Sequence, residues 1–222
     1  MTRRSHPARC RRRASPRRRR PRQWVLLAAA VGGGIALCLA VGLTFYCLNR
    51  PATAAGPADS PWVPAVPEVA WRYIVIHHSA SESGSAADFD RMQRLERHWD
   101  ELGYHFVIGN GRGSADGRVE VGSRWIHQKW GAHCGGTPDN EYNNFGIGIC
   151  LVGDFRQHSP TPAQLAALRE LTLFLARRYQ IPPERILGHG QAPGASTECP
   201  GQKLQDYVSA DLRQAIASDQ PE

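Results

Sequence analysis

The strongest constraint on how this chain folds is an uncharged, mostly apolar run of 25 residues from Trp24 to Leu48. As a helix this run would be about 37 Å long at 1.5 Å per residue, whereas a bilayer core is about 30 Å thick. The apolar part of a cleavable secretory signal is shorter, about 7 to 15 residues. The run therefore predicts a single transmembrane helix over residues 24–48, acting as an uncleaved signal-anchor. Cleavage after the small residues at 52–55 is the alternative.

The segment before this run, residues 1–23, contains eleven Arg and no acidic residue. Such a segment has too little apolar surface to fold, and Arg-rich flanks of a membrane span stay on the cytoplasmic side. We predict a disordered cytoplasmic tail and a single pass through the cytoplasmic membrane, with the remainder periplasmic or extracellular. The lipid bilayer is one expected partner.

The high isoelectric point, about 9.4, comes from this tail. Twelve of the 27 Lys and Arg residues precede position 51, while the other fifteen and all 20 acidic residues follow it, so the later part carries a net charge of −5. A nucleic-acid partner needs a basic surface on the folded part. The distribution of charge therefore argues against nucleic-acid binding.

Residues 49–70 contain five prolines among small and polar residues, a composition that favours an extended, semi-rigid spacer. The sequence thus predicts a spacer at 49–70, a folded domain at 71–217 and a short C-terminal tail at 218–222. It leaves the oligomeric state open.

Within the domain, strand-like and helix-like patterns alternate. A β-branched run predicts a strand at Tyr73–His78, and apolar residues spaced three or four apart predict a helix that begins at Ser85 and stops at Gly103. Further strands are predicted at 104–109, 119–121, 125–127, 147–152 and 185–187, a long loop at 131–145, and further helices from Thr161 and around 204–212. We predict an α/β domain with a mixed central β-sheet flanked by about three α-helices, preceded by the single transmembrane helix.

Three residues far apart in the sequence have the chemistry of a zinc site: His77 in VIHHSA, His189 in ILGHGQ and Cys199 in TECPG. A structural zinc site fills all four tetrahedral positions with side chains, whereas a catalytic site uses three and leaves the fourth open. The sequence shows no obvious fourth ligand, so one catalytic zinc ion per chain is predicted. His78 is the alternative to His77, although the two alternate to opposite faces of one strand.

The ordered motifs VIHHSA, GYHF, GAH, FGIGICLVGDF and GH…TECPG resemble the zinc amidase domain shared by peptidoglycan recognition proteins and phage-type N-acetylmuramoyl-L-alanine amidases. The resemblance covers about residues 70–215. It implies that His77, His189 and Cys199 bind zinc and that Tyr104 and Thr197 are catalytic. Thr197 stands where phage-type amidases have lysine and animal-type recognition amidases have threonine.

The function implied is hydrolysis of the lactyl amide bond between N-acetylmuramic acid and L-alanine, with peptidoglycan or muropeptides as partner. The alternative is a module that binds peptidoglycan without cutting it. Non-hydrolytic members of the family often replace the cysteine ligand, so the presence of Cys199 favours the enzyme.

The remaining histidines and thiols are assigned by their surroundings in the sequence. His133, in the GAH loop, is a candidate for substrate contact or for a hydrogen-bonded loop position, and His78 for packing, support of the site or substrate contact. His105 is expected to be structural. Cys150 lies in an apolar strand and is expected to be a buried thiol, whereas the state of Cys134 is open.

Overall fold

The computed structural model describes residues 60–219. They form one sheet of five strands in the order β3-β2-β4-β1-β5. The strands are β1 (Tyr73–His78), β2 (Phe106–Ile108), β3 (Val119–Val121), β4 (Gly146–Leu151) and β5 (Ile186–Gly188). β1 runs parallel to β4 and β5, β2 runs parallel to β4, and β3 pairs antiparallel with β2. The predicted α/β class and mixed central sheet are confirmed.

Helices connect and cover these strands. They are α1 (Ala86–Arg97), α2 (Ser123–Ile126), α3 (Glu141–Asn144), α4 (Pro162–Tyr179), α5 (Gln202–Tyr207) and α6 (Arg213–Ala217). A π-helical segment, Val208–Leu212, joins α5 to α6, and 3-10 turns occupy Pro138–Asn140, Pro183–Arg185 and His189–Gln191. The two longest helices begin directly after the residues that the sequence predicts as their starts, Ser85 and Thr161. Each of these two side chains caps its helix by accepting a hydrogen bond from the backbone N–H three residues later.

One face of the sheet is covered by α4 and the C-terminal helical segments. Ile74 and Ile76 of β1 and Ile147 and Ile149 of β4 are fully buried there. Burying one such side chain contributes about 1.5–3 kcal/mol to stability. This face is the main core of the domain.

The opposite face is formed by the alternate residues of the same strands. Val75 and His77 of β1 pair with Gly148 and Cys150 of β4, so all four lie on this face. His78 follows His77 and therefore belongs to the face covered by α4. The candidate site residues of β1 are thus divided between the two sides of the sheet.

The predicted extension of α1 to Gly103 is wrong, because the helix ends at Arg97 and His98 adopts a left-handed conformation with φ 54°. The chain then turns back, and the side chains of Asp90 and Gln93 accept hydrogen bonds from the backbone N–H groups of Leu102 and Gly103, both at 2.7 Å. These two bonds replace the helical bonds that the pattern predicted.

The strand predicted at 125–127 is also wrong. The chain leaves the sheet after β3, and Gly122 accepts a hydrogen bond from the backbone N–H of Trp125 at 3.1 Å, which starts the short helix α2. Trp125 itself is buried, at 1% exposure. Its burial in the core decides the local structure against its β propensity.

The last part of the spacer predicted at 49–70, from residue 60 onward, packs on the domain. The indole N–H of Trp125 donates to the carbonyl oxygen of Trp62 at 3.1 Å. Glu68 forms an ion pair with Arg178 of α4. These contacts tie the chain before β1 to the main core.

The predicted tail at 1–23 and the predicted membrane helix at 24–48 lie outside the described residues. Among residues 60–219, no helix is both long enough and apolar enough to cross a membrane.

Candidate active site

The three predicted zinc ligands lie together at the carboxyl ends of β1 and β5. His77 lies near the carboxyl end of β1, His189 directly follows β5, and the segment after β5 returns Cys199 to the same place. One candidate ligand atom from each residue lies within 4.8 Å of the others, and the Nδ1 atom of His77 is 3.7 Å from the Sγ atom of Cys199. The carboxyl ends of neighbouring parallel strands are the usual place for a site in an α/β sheet.

Backbone hydrogen bonds hold Cys199 in this position. Gly190 donates its N–H to the carbonyl oxygen of Cys199 at 2.7 Å, and Cys199 donates its own N–H to the hydroxyl of Thr197 at 3.1 Å. The backbone N–H of His78 points at the Sγ atom from 3.4 Å. The sulfur is therefore fixed by contacts with both segments that carry the histidines.

The donor set fits a zinc ion. A tetrahedral zinc with Zn–S of about 2.3 Å and Zn–N of about 2.0–2.1 Å places sulfur and nitrogen about 3.5 Å apart, close to the 3.7 Å between Cys199 and His77. Burial holds the pKa of His77 well below its usual value, so its imidazole is neutral and has a lone pair to share. Burial also raises the pKa of the Cys199 thiol to about 12, so a cation is needed to hold the thiolate at neutral pH.

His78, the alternative ligand, points to the other face of the sheet. Its Nδ1 atom accepts a hydrogen bond from the backbone N–H of Phe155 at 3.3 Å and lies 3.7 Å from a carboxylate oxygen of Asp154. The residue as a whole is 7% exposed. This placement gives the His78 side chain a packing and hydrogen-bonding position, away from the ligand cluster.

His133 is buried, at 8% exposure. Its Nδ1 atom lies 3.1 Å from the Nε2 atom of His77, and its Nε2 atom lies 3.1 Å from the carbonyl oxygen of Gly146. Of the two positions that the sequence leaves open for His133, the hydrogen-bonded one agrees with this geometry.

Tyr104 lies beside the cluster, with its ring centroid 5.2 Å from that of His77. Burial, followed by the neighbouring thiols of Cys150 and Cys199, raises the pKa of Tyr104 well above its usual value. The phenol therefore keeps its proton at neutral pH and is able to donate a hydrogen bond.

Thr197 is exposed and lines a cleft of about 360 Å³ together with Cys199. Its hydroxyl oxygen accepts the hydrogen bond from Cys199, which leaves the hydroxyl hydrogen free to be donated. The other residues of the cleft are Arg156, Gly190, Gln191, Glu198, Pro200, Gly201, Gln202 and Gln205.

The sequence did not identify Asn143 as a site residue. Its side-chain oxygen accepts the backbone N–H groups of both His133 and Cys134, each at 2.8 Å. These bonds fix the loop that places His133 behind His77. Cys134 and Cys150 are buried free thiols, as expected for Cys150.

His105 supports the sheet beneath the site, and it makes stability depend on pH. Its Nδ1 atom accepts from the backbone N–H of Gly148 at 2.9 Å, and its Nε2 atom donates to the carbonyl oxygen of Lys129 at 3.0 Å. Burial lowers the pKa of His105 from 6.5 to about 4. Between these values the unfolded chain binds a proton that the folded chain does not, so stability falls as the pH falls.

We expect His105 to account for a loss of about 2 kcal/mol in the free energy of unfolding at pH 5, at about 1.4 kcal/mol per pKa unit. Urea unfolding at pH 7 and at pH 5 measures this difference in the free energy of unfolding. In His105→Asn the amide oxygen can take the place of Nδ1, and the difference between the two pH values should shrink. An unchanged difference in this variant would show that His105 is not its source.

Comparisons with known proteins identify a family and several relatives. A family model described as N-acetylmuramoyl-L-alanine amidase matches residues 67–202. Peptidoglycan-recognition protein LB of Drosophila melanogaster is 32% identical over 148 residues, covering 62% of this chain and 58% of that protein. The N-acetylmuramoyl-L-alanine amidase of Sus scrofa is 30% identical over 144 residues, covering 60% of this chain and 22% of that protein. The chain thus matches less than two thirds of the length of either relative.

Solved structures give the same result. N-acetylmuramoyl-L-alanine amidase LysC from Clostridium intestinale URNW superimposes with a TM-score of 0.54 at 26% identity, covering 69% of this chain and 94% of that one. A mutant of Drosophila peptidoglycan-recognition protein LB in complex with tracheal cytotoxin gives a TM-score of 0.51 at 29% identity, covering 67% and 89%. The match over residues 67–202 spans more than half of the sequence, and the chain belongs to the N-acetylmuramoyl-L-alanine amidase family.

Proposed function

We propose that this chain is a membrane-anchored, zinc-dependent N-acetylmuramoyl-L-alanine amidase. It hydrolyses the lactyl amide bond between N-acetylmuramic acid and L-alanine in peptidoglycan. The observation that carries the proposal is the convergence of His77, His189 and Cys199, with one candidate ligand atom from each residue within 4.8 Å of the others. Family membership supports the bond and the substrate class.

The three ligands and the two neighbouring hydroxyls have distinct tasks in this proposal. A zinc ion held by His77, His189 and Cys199 would supply a Lewis acid and activate water near neutral pH. Tyr104 donates a hydrogen bond to the amide carbonyl oxygen as negative charge develops on it. Thr197 fixes the turn that carries Cys199 and offers its hydroxyl hydrogen to substrate or water in the cleft.

A module that only binds peptidoglycan is the second candidate, favoured by the structure of a relative in complex with tracheal cytotoxin. Such a module has no need of three converging metal ligands. Retention of the full set, with Tyr104 beside it, favours the enzyme.

The proposal places the domain outside the cytoplasmic membrane. The uncharged run at 24–48 and the eleven Arg before it support an anchor with its N-terminus in the cytoplasm. Peptidoglycan lies on the opposite side of that membrane, where the predicted spacer would present the domain to it.

Incubation of purified protein with muropeptides, followed by mass spectrometry, tests the function. We expect release of intact stem peptides with an L-alanine amino terminus, loss of release after chelation, and recovery on addition of zinc. His189→Ala should be inactive, while His158→Ala, which changes an exposed histidine outside the cluster, should be fully active. Muropeptide binding without release by the zinc-loaded protein would leave the binding module as the function.

A further inference from the structure

His77 is held from behind by a chain of two hydrogen bonds. The Nε2 atom of His77 lies 3.1 Å from Nδ1 of His133, and Nε2 of His133 lies 3.1 Å from the carbonyl oxygen of Gly146. The other nitrogen of His77, Nδ1, faces Cys199. The Nε2 atom of His77 is thus hydrogen-bonded within the protein, and its Nδ1 atom is directed at the ligand cluster.

The carbonyl oxygen at the end of this chain determines where the protons lie. A carbonyl accepts and cannot donate, so the Nε2 atom of His133 must carry a hydrogen to form its bond with Gly146. A neutral imidazole has one such hydrogen, which leaves Nδ1 of His133 as an acceptor. The Nε2 atom of His77 must then be the donor, so its Nδ1 atom has the free lone pair.

The surroundings leave the His133 ring little freedom. A Cβ atom added at Gly131 or at Gly148 would come within 2.3 Å or 2.4 Å of its Cδ2 atom. Both glycines therefore provide the space that the ring fills. Asn143 fixes the backbone of His133 by accepting its N–H at 2.8 Å.

We propose that His133 is a positioning residue that holds His77 in the Nε2–H form and so presents its Nδ1 atom to the metal. The inference rests on the proposed zinc site for its consequence, since a ligand held in the wrong tautomer presents a hydrogen instead of a lone pair. Partners of this kind orient ligand imidazoles and raise their basicity. His133 acts through His77 and needs no contact with substrate.

Two variants separate this role from simple packing. His133→Leu fills similar space but removes the acceptor, whereas His133→Asn places an amide oxygen where Nδ1 was. We expect the leucine variant to bind zinc about 10- to 100-fold more weakly and the asparagine variant to recover part of that loss. His158→Leu, at the exposed position, is the matched control and should bind zinc as the wild type does.

Zinc affinity is measured by competition with a chromophoric chelator, and thermal unfolding identifies any variant that does not fold. Long-range ¹H–¹⁵N spectra of the metal-free protein report the His77 tautomer directly. We expect the Nε2–H form in the wild type and a mixture of forms in His133→Leu. A proton on Nδ1 of His77 in the wild type, or wild-type zinc affinity in a folded leucine variant, would overturn the inference.

The same experiment distinguishes this inference from the proposed function. A wild-type protein that takes up no zinc would contradict the zinc amidase. The tautomer of His77 would still be decided in that case by the spectrum of the metal-free protein.

Discussion

Replacing Cys199 with serine is expected to remove zinc binding and muropeptide hydrolysis together. A serine hydroxyl stays protonated at neutral pH and is a poor zinc ligand, whereas thiolate is among the preferred ones. Removing a residue that only orients a ligand weakens metal binding by at most about 100-fold. Removing Cys199 should weaken zinc binding by more than this. Zinc content after dialysis and the rate of stem-peptide release measure the two effects on one preparation.

Cys134→Ser is the matched control, because it makes the same change at a buried thiol that lies outside the ligand cluster. It should lower thermal stability and still retain one zinc per chain. If Cys199→Ser kept its zinc and its hydrolysis, the assignment of Cys199 as a ligand would be wrong.

Replacing Tyr104 with phenylalanine is expected to slow turnover by about 100- to 1,000-fold, the usual effect of removing one hydrogen-bond donor to a developing oxyanion. Zinc content should be unchanged, since the three candidate ligand atoms belong to His77, His189 and Cys199. The effect should fall on kcat more than on KM, because the hydrogen bond strengthens in the transition state. Steady-state kinetics on a defined muropeptide separate the two constants.

Tyr207→Phe provides the control for this change. Its hydroxyl donates to the carbonyl oxygen of Leu165 at 3.4 Å, on the side of the sheet covered by α4, so turnover should stay close to that of the wild type. Wild-type turnover in Tyr104→Phe itself would remove Tyr104 from the mechanism.

Parts of this structure follow from local sequence. β1 and β4 are β-branched, apolar runs whose alternate residues pack on both sides of the sheet, and their pattern predicts them. α1 and α4 begin where Ser85 and Thr161 satisfy backbone N–H groups, a signal within four residues of sequence. The three candidate ligands, which the structure brings together, were predictable from their chemistry and from the ordered motifs around them.

Other parts depend on contacts between distant segments. The end of α1 is set by Asp90 and Gln93, whose side chains bond to the returning chain at Leu102 and Gly103. The segment before β1 packs on the domain through Trp62, whose carbonyl oxygen accepts a hydrogen bond from the indole N–H of Trp125. No local sequence pattern predicts either contact.

The position of His133 illustrates the same limit within the site. Its loop is held by Asn143, ten residues further along the chain, and its ring occupies space left by glycine on β4. The alternation of Gly146 and Gly148 in β4 is a sequence signal for a ring packed against one face of the strand. This signal can be interpreted only when the face of the sheet that carries His77 is known.

The most direct test of the account is zinc K-edge X-ray absorption on purified protein loaded with one equivalent of zinc. The account predicts one sulfur at about 2.3 Å and two imidazole nitrogens at about 2.0–2.1 Å, with one further light-atom ligand. A protein that takes up no zinc, or a zinc shell without sulfur, would contradict it.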